Sequence, residues 1–167
     1  MKIGICGNGE CGKDTAAEFL RDEFGLRYVQ GTSMWAAALV WAHMTKTGHG
    51  YDTIRECWED RRNHRMLWAK VIARYNATDP VKMYRDCLSN QDILTGVRWR
   101  HEFQACRAAK LCDAWLYIDR PGTADDTNEI TPADCDYVIR NHGTLEEFKA
   151  ELRRWASGRI PLPVCNK

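Results

Sequence analysis

No apolar run in this sequence approaches the ~20 residues that a membrane helix needs, so no membrane partner is expected. Eight cysteines are present, yet there is no C-x-x-C pair and no Cys/His set of zinc spacing. The thiols therefore read as reduced and mostly buried in a cytoplasmic protein, with Cys6 in an apolar run and Cys106 and Cys112 in a helical stretch. Repeats and low-complexity segments are absent, which excludes solenoid arrays and compositionally disordered chains. A large charge excess is lacking too: the formal net charge is +1, which alone argues for neither nucleic acid nor membrane. The first residues run directly into the strand-like Lys2–Cys6 and then glycine, too short a stretch for a signal peptide.

There is enough apolar material for one core. Hydrophobic residues make up 44% of 167, which predicts a single domain over residues 1–157, with a tail at 158–167. The charge is unevenly spread. Tyr51 to Lys110 holds twelve Lys and Arg against eight Asp and Glu, or +4, while the remainder carries −3. A basic middle in a near-neutral chain points to an anionic substrate there, unless its charges are simply solvated helix faces.

Apolar periodicity places the elements. Ile3–Cys6 reads as a buried strand, and Lys13–Phe24 as a helix with Ala17, Leu20 and Phe24 on one face. Leu26–Val29 reads as a second strand, and Ser33 as the N-cap of a helix through Met44. The segment over about 50–90 is helical and broken, with Trp68, Val71, Ile72 and Tyr75 as one stripe. Strands are expected at Asp92–Val97, Ala114–Asp119 and Cys135–Ile139, with a helix over Trp99–Lys110. Thr144-x-x-Glu147 is a capping box, and Leu145, Phe148, Leu152 and Trp155 stripe the final helix. Strands alternating with helices predict an α/β fold of three layers around a parallel sheet of about five strands. In such a sheet ligands bind at the carboxyl ends of the strands. The glycine loop after the first strand, Val97-Arg98 and Asp119-Arg120 all fall there.

Gly7-Asn-Gly-Glu-Cys-Gly12-Lys13-Asp14-Thr15 matches the P-loop pattern G-x-x-x-x-G-K, with Asp where Ser or Thr is usual. Gly7, Gly9 and Gly12 let the backbone curl so that N–H groups face phosphate oxygens, and the following helix adds its positive end. Lys13 can reach the β- and γ-phosphates of ATP. Asp14 suits magnesium, directly or through water, and Thr15 offers a hydroxyl to a phosphate. No N-K-x-D-type guanine reader is present.

In the basic middle, Arg61 and Arg65 are four apart and share a helix face, with Trp58, Trp68, Tyr75 and Trp99 nearby in sequence. Basic groups among aromatics suit a phosphate plus a stacked base. The alternative is that the aromatics are core and the arginines pair with Glu59 and Asp60. His64 and His101 are acid–base candidates or structural histidines.

Several phrases in order carry a family resemblance. Gly12-Lys-Asp-Thr15, Thr95-Gly-Val-Arg98 followed by Glu102, Arg120-Pro-Gly122, and Val138-Ile-Arg-Asn141-His-Gly143-Thr-Leu-Glu-Glu147 are similar to motifs of the deoxynucleoside monophosphate kinases of large bacteriophages. The resemblance implies a P-loop kinase fold using ATP and magnesium, with 50–90 as an acceptor-side insertion, in the cytoplasm of a host cell if phage-encoded. Lys13, Asp14, Arg98 and Arg120 would be catalytic. Asn141 and Gly143 would lie by the adenine. Ser33, Trp35, Arg61, Arg65 and Glu102 would bind the acceptor. The sequence departs from the pattern at Gly96, where the family often has Asp, and Asp119 is a candidate replacement metal ligand. The segment from Thr123 to Thr131 holds Asp125, Asp126 and Glu129 but no Lys or Arg. Two acceptors stay open: a free deoxynucleoside monophosphate, or a 5-hydroxymethyl-deoxyuridine within DNA, as in related phage base-hypermodifying kinases. A nucleotide-binding regulator without transfer activity is a third reading.

Overall fold

The computed structural model describes residues 1–48, 50–123 and 128–161. Four strands, β1 (Ile3–Cys6), β2 (Ile93–Thr95), β3 (Ala114–Asp119) and β4 (Tyr137–Arg140), pair in parallel in the order β2-β1-β3-β4. Strand pleating sends alternate side chains to opposite faces. Ile3, Ile5, Ile93, Leu116, Ile118 and Ile139 enter one core. Cys6, Leu94, Trp115 and Tyr117 enter the other. Helices α1 (Lys13–Phe24) and α7 (Leu145–Ala156) cover the first face through Ala17, Leu20, Phe24, Phe148, Leu152 and Trp155. The second face is covered by α2 (Thr32–Lys46), α3 (Ile54–Glu59), α4 (Arg65–Tyr75), α5 (Lys82–Cys87) and α6 (Arg100–Ala108), with a 3-10 turn at Asp60–Arg62. The three-layer α/β architecture and the broken helical middle agree with expectation.

The expected five-stranded sheet has four strands among the described residues. Leu26–Val29 is not a strand, because side chains from the approach to β2 take its N–H groups. Asp92 Oδ2 accepts from the Arg27 amide at 2.9 Å, and Gln91 Oε1 accepts from the Val29 and Gln30 amides at 3.2 and 3.3 Å. Leu26 and Tyr28 are still buried, so the apolar pattern is satisfied without a ladder. The helix expected to be capped by Ser33 begins two residues earlier, at Thr32 with Gly31 as N-cap. Thr32 Oγ1 there donates to Thr95 O, tying the helix start to the end of β2. The Thr144/Glu147 capping box forms, but Leu145 is 52% exposed and only Phe148, Leu152 and Trp155 of its stripe are buried. Ile160, beyond the Ser157 boundary, packs in the first core, and residues 162–167 of the expected tail lie outside the described residues. Seven of the eight cysteines are described, all free; five are buried and Cys112 and Cys135 half-buried.

The chain steps from β1 to β2 on one side, then crosses to β3 on the other. That reversal makes the carboxyl end of β1 the crevice where an open α/β sheet accepts its ligand.

Candidate active site

The glycine loop leaves β1 at this crevice. Gly12 adopts φ +103°, and a Cβ there would lie 2.8 Å from Asn141 Nδ2, so the position excludes other residues. Asn141 Nδ2 donates to Cys11 O at 2.8 Å, tying the loop to the end of β4. Helix α1 starts at Lys13 with no side-chain cap, so its first N–H groups are available to an anion. Lys13 Nζ curls over the loop, donating to Gly7 O at 3.0 Å and Asn8 O at 2.5 Å. Gly9 and Thr15 are half-buried in the loop and the first turn of α1. Asn8 is an anchor: its Nδ2 donates to Thr123 O at 2.6 Å, and its Oδ1 accepts from Asn128 Nδ2 at 2.9 Å.

Asp14 projects toward β2. The Tyr28 hydroxyl donates to its Oδ1 at 2.7 Å. Burial and the Asp14 charge push the Tyr28 pKa up, so it remains a donor. Asp119 lies at the end of β3, where its carboxylate bonds His142 Nε2 at 2.7 Å. Among the described residues no three His, Cys, Asp or Glu side chains gather as a protein-only metal cage. The residues fit magnesium in another way, since it is commonly held by one or two carboxylates together with substrate phosphates. Asp14 supplies a hard oxygen there. Gly31 leaves open a space that a Cβ would narrow to 3.6 Å from Asp14 Oδ1.

Gly96 has φ +92°, and a Cβ on it would meet Thr32 Oγ1 at 2.6 Å. A carboxylate at residue 96 would thus meet a left-handed backbone and a hydroxyl already in its space.

Arginines of the 3-10 turn lie beside the loop. The Arg61 guanidinium sits 4.1 Å over the Trp58 ring and donates to Trp58 O at 2.9 Å. Its pKa is lowered by burial first, then by the charges of Arg62, Arg98 and Arg65, with Asp14 opposing. One group therefore senses the arginines of the middle segment, the arginine after β2 and the acid after Lys13. Arg62 reaches Glu10 of the loop at 3.7 Å. The pairing of Arg61 and Arg65 with Glu59 and Asp60 does not form: Glu59 faces Arg55 at 3.9 Å, and Asp60 bonds His64 at 3.0 Å. No ion pair to Arg61 or Arg65 occurs among the described residues. A backbone bond from Glu129 N to Arg98 O at 2.9 Å, and a side-chain bond from Arg100 Nη2 to Glu129 O at 2.8 Å, steady the turn that carries Arg98.

The other expected site residues divide. Ser33 Oγ accepts from Trp58 Nε1 at 3.1 Å, beside the arginines. Trp35 is half-buried against the second core and packs edge-on to Tyr75 with centroids 5.7 Å apart. Glu102 accepts from the buried Tyr84 hydroxyl at 2.6 Å, and burial raises its pKa. Arg120 Nη1 donates to Glu10 O at 3.2 Å, against the loop rather than across from it. Asn141 braces the loop, while Gly143 lines a cleft of about 380 Å³ with Arg140, His142, Glu147, Phe148 and Glu151. Asp125 and Asp126 lie outside the described residues.

Sequence reasoning missed Thr95, Tyr28 and Asn8. Thr95 had a signal, as the last residue of a strand beside the loop-bearing one. Tyr28 and Asn8 are recognisable only from their contacts.

No protein-family model and no curated protein matches the sequence. Among solved structures, an unliganded sugar kinase from Janibacter sp. HTCC2649 is similar, with 17% identity over 93% of this chain and 94% of that one and a TM-score of 0.50. The two chains share a fold.

Proposed function

We propose that this protein is an ATP-dependent phosphotransferase with a deoxynucleotide as acceptor. The observation that carries the reading is the uncapped start of α1 behind the glycine loop, with Lys13 folded over that loop and Arg62 reaching its Glu10 at 3.7 Å. Lys13 and the first N–H groups of α1 hold the donor phosphates. Magnesium, when bound, neutralises charge on the β- and γ-phosphates, and Asp14 is the residue that would hold it. Arg98, with its planar fork, faces the group in transfer and balances the charge on its equatorial oxygens. Arg61 binds the acceptor's own phosphate. Its guanidinium is partly desolvated on Trp58, so an anion there meets a stronger field than at an exposed lysine.

The phage-kinase motifs favour a free deoxynucleoside monophosphate as acceptor. One observation favours DNA instead. From Arg61 to Thr78 the sequence has no Asp or Glu, and α4 exposes Arg65, Lys70 and Arg74 beside a 74% exposed Met66. Eleven helical residues span about 16 Å. That is long enough to follow more than one backbone phosphate.

Labelled ATP offered to a panel of deoxynucleoside monophosphates and to DNA containing 5-hydroxymethyluracil tests the proposal. Label in monophosphates alone removes the DNA reading, and label in DNA alone removes the other. ATP bound without transfer to either marks a regulator.

A further inference from the structure

Thr95, the last residue of β2, is 2% exposed, yet its hydroxyl has an unusual neighbourhood. It lies 3.5 Å from Asp14 Oδ1 and 3.5 Å from the Tyr28 hydroxyl. Tyr28 in turn donates to the same Asp14 oxygen. Gly31 closes the group: a Cβ there would stand 2.9 Å from Thr95 Oγ1, 3.6 Å from Asp14 Oδ1 and 3.7 Å from the Tyr28 oxygen. Three oxygens from α1, β2 and the segment between α1 and α2 therefore border one small space that residue 31 leaves open.

P-loop nucleotide hydrolases commonly meet magnesium with a hydroxyl on the residue after the loop lysine and a carboxylate from a neighbouring strand. Here the residue after Lys13 is the carboxylate Asp14, and the neighbouring strand ends in the hydroxyl of Thr95. The two positions hold the same pair of side-chain types, in the opposite places. The charge of the pair is unchanged at −1, and both donors are hard oxygens suited to magnesium.

We propose that this chain builds its magnesium site by reciprocal exchange, with the carboxylate on the phosphate loop helix and the hydroxyl on β2, and with Tyr28 positioning the carboxylate. The proposal rests on the phosphotransfer reading above and adds Thr95 and Tyr28 to it. It also explains how the site manages without a carboxylate at Gly96: the donor comes from Asp14. Tyr28 holds one carboxylate oxygen and so restricts the side chain to one orientation. That is a positioning role, for which loss of metal affinity of about 10–100-fold is typical.

The test reads metal binding rather than turnover. ADP affinity is measured by calorimetry with and without magnesium, and manganese binding to the ADP complex by electron paramagnetic resonance, on proteins whose fold is checked by circular dichroism. In the wild type, metal tightens ADP binding. Asp14→Ser is expected to reduce that tightening by at least ~10-fold, with metal-free ADP affinity kept. Thr95→Val is expected to weaken it and Thr95→Ser to preserve it. Tyr28→Phe should weaken metal binding without changing metal-free ADP affinity. The double variant Asp14→Ser/Thr95→Asp, which restores the common arrangement, should regain what Asp14→Ser alone lost. Unchanged metal dependence in Asp14→Ser, or equal behaviour of Thr95→Val and Thr95→Ser, overturns the exchange while leaving phosphotransfer standing. Should the double variant not fold, the contrast between Val and Ser at 95 still decides. A wild-type protein that binds no ADP or ATP overturns the exchange and the phosphotransfer reading together.

Discussion

Gly96→Asp would restore the acid that the phage kinases often carry, and the structure predicts that it harms rather than helps. Residue 96 has φ +92°, where an L side chain costs about 1–2 kcal/mol. Its Cβ would also fall 2.6 Å from Thr32 Oγ1, so Thr32 must move. Thr32 cannot move without giving up its bond to Thr95 O, worth about 0.5–1.5 kcal/mol. The two terms together come to about 1.5–3.5 kcal/mol of lost stability. For a chain of this size that lowers Tm by about 3–14 °C. Differential scanning calorimetry of the wild type, Gly96→Ala and Gly96→Asp measures it. Gly96→Ala should show nearly the full loss, because backbone conformation and Cβ cause it rather than charge. Transfer activity in Gly96→Asp, assayed well below its Tm, should not exceed that of the wild type. A Gly96→Asp protein with unchanged Tm and higher turnover would refute the reasoning, and would make residue 96 a vacated metal position.

Three further outcomes are expected. Lys13→Ala should abolish transfer in a transfer assay while circular dichroism and Tm stay near wild type, since its bonds reach only the loop's own carbonyls and sulfur. Arg98→Ala should lower kcat and kcat/KM together in steady-state kinetics, whereas a change confined to acceptor KM would make it a binding residue. If DNA is the acceptor, filter binding should weaken steeply with salt. Arg61→Ala and Arg65→Ala should each make the slope shallower by about one unit, and a weak slope with binding confined to monophosphates points to the free nucleotide.

The sequence revealed the fold where local and tertiary demands agree. Ile3–Cys6 and Ala114–Asp119 are apolar runs that β-pairing buries on both faces, and Thr144 with Glu147 forms a cap that needs no tertiary help. It misled where a side chain competed for the backbone. Leu26–Val29 carries a strand's apolar pattern, but Gln91 and Asp92, more than sixty residues away, occupy its amides. Leu145 has the right spacing for the core, yet it begins α7, where the helix has not reached the sheet. At the site, the glycine loop stood out because its residue types and spacing are local, whereas the packing of Trp35 on Tyr75 joins residues forty apart that no local pattern pairs. The Asp14, Thr95 and Tyr28 grouping needs three segments brought together, and no single window of sequence contains it.

The bond from Asn141 to Cys11 O has a consequence for engineering. A carbonyl oxygen repels the anion that the loop's amides attract, and this one is satisfied by a side chain 130 residues downstream. The nine residues from Gly7 to Thr15 are therefore not a portable module. Grafted onto another strand and helix without a donor in Asn141's place, they would carry the motif but leave that oxygen without its partner. A homologue that lost the asparagine would need a second change near Cys11 or Gly12 to compensate.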